Sequence, residues 1–142
     1  MRTIDKNTVK FFVNPEKHKV VCVIEDSEHD FIDFVNDETE YRISMFDVDN
    51  YMMPDTFVGI ATCGEEDEWN EEIGKLIALN KAKNKWGSSF FKRSNRFMEN
   101  QMKKFERTHD LFNNFGAKLS HNLSRRESRI EEYFAEIDKT NA

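Results

Sequence analysis

The sequence predicts one α+β domain, with an N-terminal antiparallel sheet of about four strands and a short helix, followed by long C-terminal helices that mediate oligomerisation. The chain has 142 residues, which is the length of a single domain. Short runs of strand formers alternate with turn residues in the first part, and apolar residues recur at helical spacing in the second. The domain therefore divides into a β-rich part, 1–63, and a helical part, 64–142.

The first two strands are expected to form a hairpin. Residues 9–13 and 19–24 are rich in valine, phenylalanine and isoleucine, and the turn formers 14–17 lie between them. A short helix is expected next, at 28–35. Asp26 and Ser27 before it are suitable capping residues.

Two more strands are expected at residues 41–46 and 56–61. Four acidic residues, 65–68, then follow Gly64. Because negative charge complements the partial positive charge at a helix N-terminus, the sequence predicts that a helix begins here. Its apolar side is expected to consist of Trp69, Ile73, Leu76 and Ile77.

A long helix is expected after a break at residues 86–88, since residues 89–138 contain no proline and only one glycine. Two interleaved rows repeat every seven residues: Phe91, Met98, Phe105, Phe112 and Leu119, and Met102, His109, Gly116, Leu123, Ile130 and Ile137. A helix of roughly 50 residues is longer than a four-stranded sheet can cover. We therefore expect this sevenfold stripe to form a homodimer, with Gly116 marking either a helix break or a close crossing.

The net charge of −6 conceals an asymmetry between the two parts of the chain. Residues 1–72 contain 6 basic and 19 acidic residues, whereas residues 73–142 contain 15 basic and 8 acidic residues. The basic part is attractive to phosphate groups. Alternatively, the two parts neutralise each other between neighbouring subunits, and both interpretations can hold together.

Enzyme signatures are absent from the sequence. The five glycines form no phosphate-binding loop, and no GxSxG, HExxH or HxE…CxxC motif occurs. Cys22 and Cys63 lack zinc-site spacing and are expected to be small buried hydrophobes. The acidic cluster 65–68 is explained more simply by a helix start than by a metal site. We expect an intracellular binding protein without enzyme activity, cofactor, metal or membrane-spanning segment.

The positive signal for ligand binding lies in residues 81–107, where lysines and arginines alternate with aromatic residues. Cations can contact phosphates and rings can stack on bases, so the combination is typical of nucleotide binding. Phe91 and Phe105 lie on the sevenfold stripe and are expected in the core. Phe90 and Phe97 lie off it and are the better candidates for stacking.

A second basic cluster places Arg125 and Arg129 one helical turn apart. Two guanidinium groups at this spacing can hold a pyrophosphate. They can equally well pair with Glu132 and Glu136, and the sequence leaves both interpretations open.

Residues 57–82, FVGIATCGEEDEWNEEIGKLIALNKA, are similar to a pattern in small bacteriophage proteins. There, a strand with VGxAxC is followed by an acidic helix start, EDxFNEExG, and by xxIAxxRA. In this chain Trp69 takes the aromatic place, residues 70–74 match, and Lys81 stands where arginine is frequent. With the preceding loop 53–55, the chain resembles the first type of Thoeris anti-defence protein.

This resemblance implies a sponge. Proteins of this family sequester glyco-cyclic ADP-ribose signals, which the Thoeris immune system of the host makes, without cleaving them, and they bind cyclic oligonucleotides as well. Their fold combines an N-terminal antiparallel sheet with long C-terminal helices, and helix-mediated dimers assemble into hexamers. The expected location is the host cytoplasm.

In the family, helical arginines and an aromatic ring hold the phosphates and ribose of the ligand near dimer interfaces. Arg125 and Arg129 match these arginines best. The other ligand-binding candidates, which are two rings, two amides and one arginine, are Phe91, Phe97, Asn95, Asn113 and Arg96.

Two other functions stay open at this point. The basic and aromatic helix would also suit a nucleic-acid-binding module, although the overall negative charge means that nucleic acid is not the expected partner. Alternatively, the acidic face at residues 25–55 would mimic nucleic acid in a protein that inhibits host defence by direct contact.

Overall fold

The computed structural model describes residues 8–64 and 67–141. Its elements are, in chain order, β1 (Val9–Asn14), β2 (Lys19–Ile24), α1 (Asp30–Glu38), α2 (Val48–Tyr51), β3 (Phe57–Thr62) and α3 (Glu71–Thr140). The predicted α+β class, with an N-terminal antiparallel sheet followed by a long C-terminal helix, is confirmed. The chain forms two compact units, unit 1 (Met1–Phe97) and unit 2 (Met98–Ala142).

The sheet of unit 1 has three antiparallel strands in the order β1-β2-β3 within the described part of the chain. The predicted hairpin is confirmed, since Val9 pairs with Ile24 and Asn14 with Lys19. In its turn, the side-chain oxygen of Asn14 accepts the backbone N–H of Lys17 at 3.2 Å. β3 matches the predicted fourth strand within one residue and pairs with the other side of β2.

The predicted strand at residues 41–46 is wrong, because this segment is a connection without strand pairing. Side-chain oxygens accept hydrogen bonds from backbone N–H groups of this segment. Ile43 N–H donates to Oδ1 of Asn36 at 2.9 Å, and Tyr41 N–H donates to Oγ1 of Thr39 at 3.1 Å. Such local bonds satisfy groups that would otherwise enter a ladder. The described part of the chain therefore contains three strands in place of the expected four.

The predicted short helix exists as α1, and its buried face consists of Phe31, Ile32 and Val35. The expected caps are wrong. His29 stands at the N-cap position and makes no side-chain capping bond. Ser27 is instead fully buried, and its hydroxyl has no hydrogen-bond partner among the described residues.

Helix α3 packs on the sheet through its smallest residues. Gly74, Ala78 and Ala82 follow one another at intervals of four and are all buried. A Cβ atom at Gly59 of β3 would collide with the carbonyl oxygen of Ala78 and would lie 2.6 Å from the nitrogen of Ala82. The helix backbone thus approaches the strand so closely that only glycine fits at position 59.

This close approach overturns the predicted apolar side of the helix. Ile73, Leu76 and Ile77 are exposed, Leu76 by 67%. The large side chains would hold the helix away from the sheet, whereas glycine and alanine let the two backbones meet. Ala78 and Ala82 belong to the same buried core as residues of the sheet and of the segments between the strands. The other members of this core are Val20, Cys22, Ile24, Phe31, Ile32, Val35, Tyr51, Met53, Phe57 and Ala61.

Two lysines of α3 contact the outer edge of the sheet. Lys81 Nζ donates to the carbonyl oxygen of Ile60 at 3.0 Å, and Lys85 Nζ donates to that of Val58 at 2.7 Å. Among residues 8–64 and 67–141, β3 pairs with β2 alone, so these carbonyl groups have no described strand to pair with. The lysines therefore satisfy backbone acceptors at a free edge.

Helix α3 begins later than predicted. Asn70 caps it, because its Oδ1 accepts the backbone N–H of Ile73 at 3.2 Å, and the first turn contains Glu71 and Glu72. Asp67 and Glu68 lie before the helix, so their predicted place in its first turn is wrong. The other two members of the acidic cluster, residues 65 and 66, lie outside the described residues.

The predicted break at residues 86–88 is also wrong, and α3 continues through both Gly87 and Gly116. The indole N–H of Trp86 donates to the carboxylate of Asp30 at 2.8 Å, which fixes this turn of the helix to α1. A glycine inside a helix costs only about 1 kcal/mol relative to alanine, so neither glycine is sufficient to end it. None of the helices in the described ranges is both long and apolar enough to cross a membrane.

Candidate functional site

The aromatic rings of the basic segment are distributed in the opposite way to the expectation. Phe90 and Phe97 make edge contacts with the buried ring of Phe31, at centroid distances of 5.2 and 6.1 Å. Both pack against the core. Phe91 and Phe105 are each 69% exposed. Of the two predicted ring candidates, Phe91 therefore has the accessible ring and Phe97 is held by its neighbours.

The two polar candidates of unit 1 differ in their surroundings. Arg96 donates from Nη1 to the carbonyl oxygen of Asn50 at 2.9 Å, which ties α3 to α2. Asn95 is exposed, and the described residues offer its side chain no hydrogen bond. Arg96 therefore already has a structural role, whereas Asn95 has none.

The predicted arginine pair lies in unit 2, in a shallow cavity of about 150 Å³. Arg125 and Arg129 line it together with Asn122 and Arg126. The four positions are spaced i, i+3, i+4 and i+7, which places them on one face of a helix. Their side chains bring three positive charges and an amide together without an acidic residue. We call this set the arginine cluster.

The arginines of this cluster are not paired with carboxylates. Within the described ranges, no ion pair or hydrogen bond joins Arg125 or Arg129 to Glu132 or Glu136, and Arg126 has none either. Each planar guanidinium group carries five N–H donors that match carboxylate or phosphate oxygens. Of the two interpretations that the sequence left open, the geometry favours availability for an anion.

An aromatic ring stands close to the cluster in sequence. Tyr133 follows Arg129 by four residues, which is one helical turn on the same face, and its side chain is exposed. Its neighbour Phe134 lies with its ring centroid 6.0 Å away. Tyr133 does not line the cavity of the arginine cluster and lines a different one, together with Glu136 and Ile137. An exposed ring with a phenol hydroxyl, one helical turn from Arg129 in sequence, is suited to stacking on a base while remaining in contact with water.

The last polar candidate, Asn113, is exposed in unit 2, and its amide nitrogen lies 3.2 Å from Nδ1 of His109. None of the other predicted candidates lines the cavity that holds Arg125 and Arg129. The candidates belong to different units: Phe91, Asn95, Arg96 and Phe97 to unit 1, and Asn113, Arg125 and Arg129 to unit 2.

The predicted site lacks two residues of the arginine cluster and one exposed ring near it in sequence. Asn122 and Arg126 share the cavity with the predicted pair. Tyr133 follows Arg129 by one helical turn and lines a different cavity. The signal was present, because positions 122, 125, 126, 129 and 133 all fall on one helical face. The i, i+4 spacing on which the prediction rests identifies only Arg125 and Arg129.

Cysteine and metal chemistry contribute nothing to this surface. Burial raises the pKa of the Cys22 thiol, and the nearby charge of Lys83 opposes this shift more weakly. The thiol is therefore protonated and inaccessible inside the core. Among residues 8–64 and 67–141, no three histidine, cysteine, aspartate or glutamate side chains come together in a way that could hold a metal ion.

Comparisons with protein-family models, with curated proteins and with solved structures found no match to this chain. Its function therefore has to be inferred from its own side chains.

Proposed function

We propose that this protein is a phage anti-defence sponge, which binds a cyclic ADP-ribose-type signal and sequesters it intact in the host cytoplasm. The observation that carries the proposal is the arginine cluster, whose three guanidinium groups are exposed and have no carboxylate partner in the described structure. Three adjacent unpaired cations repel one another, so an anion that contacts them all gains binding energy from each. A pyrophosphate has the charge and the oxygen spacing to do so.

Each part of such a ligand has a complementary group in unit 2. Arg125 and Arg129 donate to the phosphate oxygens, and Asn122 can donate to or accept from a ribose hydroxyl. The exposed ring of Tyr133 provides a surface for the adenine base. Binding by these groups requires no bond to be broken, which is consistent with sequestration rather than turnover.

We propose that a second copy of the chain completes the site, because the cavity is small for a complete ligand. About 150 Å³ accommodates a phosphate-bearing fragment, whereas pockets for complete small ligands measure roughly 300–1,000 Å³. The sevenfold stripe of unit 2 is exposed along its length, at Met98, Met102, Phe105, Phe112, Leu119, Leu123 and Ile130. Soluble proteins rarely leave such a continuous apolar surface uncovered. We therefore propose a homodimer through this helix, and a hexamer assembled from three such dimers, as the resemblance implies.

A buried site at a subunit interface would also release its ligand slowly. Affinity differences between related complexes lie mostly in the dissociation rate. A sponge needs a long residence time, because it must hold the signal for as long as the host effector is present.

The test is a release experiment with glyco-cyclic ADP-ribose. Excess protein is mixed with the ligand and filtered, and the filtrate is chromatographed before and after the retained protein is denatured by heat. We expect the ligand to be missing before heating and to be recovered unchanged afterwards. Ligand that stays in the first filtrate would refute binding, and a modified product would show that the protein is an enzyme.

A matched pair of variants assigns the binding to the arginine cluster. Arg125→Ala combined with Arg129→Ala removes two charge-assisted hydrogen bonds worth about 1.5 kcal/mol each or more, so the Kd should rise at least about 100-fold. Lys103→Ala combined with Lys104→Ala removes the same charge from exposed positions of the same helix and should leave the Kd unchanged. Equal losses in both variants would mean that only the net charge of the helix matters.

Salt dependence distinguishes the proposal from nucleic-acid binding. A ligand with two phosphates loses little affinity as salt increases, whereas a protein that contacts many phosphates of a strand loses affinity steeply. A steep salt dependence, together with tighter binding of single-stranded DNA or RNA than of the cyclic nucleotide, would favour the nucleic-acid-binding module instead.

A further inference from the structure

Unit 1 contains a larger cavity, of about 590 Å³, that is separate from the arginine cluster. One wall is formed by Pro54 and Phe57, at the start of β3. The other consists of polar residues from consecutive turns of α3, namely Asn84, Lys85, Ser88, Ser89, Lys92 and Arg93. The lining therefore carries three formal positive charges and no negative one.

Arg93 is held in position by three hydrogen bonds, and part of its guanidinium group remains available as a hydrogen-bond donor. Its Nε donates to the carbonyl oxygen of Met52 at 2.8 Å, and its Nη1 donates to the carbonyl oxygen and the hydroxyl of Ser89 at 3.1 and 2.7 Å. Nη2 has no hydrogen-bond partner in the described part of the chain. The guanidinium group is thus already oriented, and binding a ligand would cost little conformational entropy.

The electrostatic surroundings of Arg93 also favour an anion. Burial lowers the pKa of its guanidinium group, and the nearby charge of Arg96 lowers it further. The group remains charged at any physiological pH. Arg93 is therefore a cation that has lost part of its water and feels the charge of a second cation, and a bound anion would compensate both effects.

The other polar groups of the cavity have unused donors as well. The ammonium group of Lys85 donates one of its three N–H groups to the carbonyl oxygen of Val58. The ammonium group of Lys92 and the side chains of Asn84 and Ser88 form no hydrogen bond or ion pair with the described residues. Donors of three chemical kinds thus line one cavity beside an apolar wall.

We propose that this cavity binds the phosphate group of a small phosphorylated molecule no larger than a mononucleotide. Arg93 and Lys92 would contact the phosphate oxygens, Ser88 would donate a further hydrogen bond, and Phe57 and Pro54 would contact the apolar part of the molecule. The volume lies within the range of pockets for complete small ligands. The inference does not depend on the function proposed for the arginine cluster.

The test uses the full chain with Arg125→Ala and Arg129→Ala as its background, so that anions bound by the arginine cluster do not contribute. Calorimetric titrations are made with inorganic phosphate and with adenosine 5′-monophosphate. We expect one equivalent to bind saturably. Equal affinity for the two probes would identify a site for free phosphate, and tighter binding of the nucleotide would identify a site for a phosphomonoester that uses the apolar wall.

Three further substitutions, each made in the Arg125→Ala, Arg129→Ala protein, test whether the probes bind in this cavity. Lys92→Glu and Ser88→Glu each place a carboxylate in the cavity without removing a contact made by the folded chain, and each should weaken binding about tenfold or more. Lys17→Glu makes the same charge change in the β1–β2 turn and should have no effect. The proposal is overturned if neither probe binds saturably, if both cavity variants bind like the background protein, or if Lys17→Glu weakens binding equally.

Discussion

Replacing Gly59 by alanine tests the closest contact in the fold. The new methyl group would overlap the carbonyl oxygen of Ala78 and would lie 2.6 Å from the nitrogen of Ala82. Both contacts are with backbone atoms of α3, so no change of side-chain rotamer can relieve them. The helix has to move away from β3, or the strand has to bend.

The cost of this movement follows from packing. Overpacking a well-packed core typically costs 1–3 kcal/mol, and rigid backbone neighbours place Gly59→Ala at the upper end, at about 3 kcal/mol. Moving the helix by 0.5–1 Å would also forfeit roughly a quarter to a half of the dispersion energy of each separated contact. For a chain of this length, the melting temperature should fall by roughly 10 °C.

Urea unfolding followed by tryptophan fluorescence measures the effect where it arises, because Trp69 and Trp86 both lie in unit 1. Gly87→Ala is the matched control. A Cβ atom there meets nothing within 4 Å, and the residue lies inside a helix, so this variant should be stabilised by about 0.5–1 kcal/mol. If Gly59→Ala lowers the free energy of unfolding by less than about 0.5 kcal/mol, the helix does not approach the strand as described.

Three further predictions concern a polar group, the apolar stripe and the thiols. Ser27→Ala should raise the free energy of unfolding by about 1 kcal/mol in urea titrations, because the buried hydroxyl has no hydrogen-bond partner in the described structure. A loss of stability would mean that the hydroxyl does have a hydrogen-bond partner. Phe112→Glu should break the proposed dimer and so reduce the molar mass measured by sedimentation velocity. Lys118→Glu is the control and should leave the molar mass unchanged. Equal molar masses for the two variants would contradict the dimer. The expected burial of Cys63 is wrong, because this residue is only half-buried, so Cys63 should react with a thiol reagent in the native protein and Cys22 only after unfolding. Because burial raises the pKa of the Cys22 thiol, the contribution of this thiol to stability is present at neutral pH and is lost as the pH rises above the ordinary thiol pKa of about 8.5.

The predictions that succeeded rest on local chemistry. The hairpin of β1 and β2 follows from strand formers on either side of Asn14 and Pro15, and the turn is closed by Asn14 itself. The helical conformation of residues 89–138 follows from the absence of proline in this stretch. In both cases neighbouring residues decide the backbone conformation, so the sequence pattern is sufficient.

The predictions that failed depend on partners far away in the chain. Residues 41–46 have the composition of a strand, but none of the strands that the structure describes lies beside them to pair with. Ile73 and Leu76 look like the core face of α3, yet Gly59 on a distant strand requires Ala78 there instead. Hydrophobicity alone predicts which residues are apolar and not how closely two backbones can meet.

The candidate site shows the same division. The spacing of Arg125 and Arg129 was sufficient to place them together, because a single helix determines their relation. Phe90 and Phe97 were expected to be available for stacking, and their contacts with Phe31 of α1 could not be deduced from the pattern of α3. Whether a ring is free depends on what the rest of the fold brings to it.

The two lysines at the outer edge of β3 have a consequence for assembly. A bare strand edge recruits strands from other molecules, and a sheet with two bare edges can grow without limit into a fibre. Lys81 and Lys85 occupy the acceptors of Ile60 and Val58 and place charge along that edge. A strand from another molecule would have to displace both ammonium groups before it could pair with β3, so this edge of the sheet resists growth by strand addition.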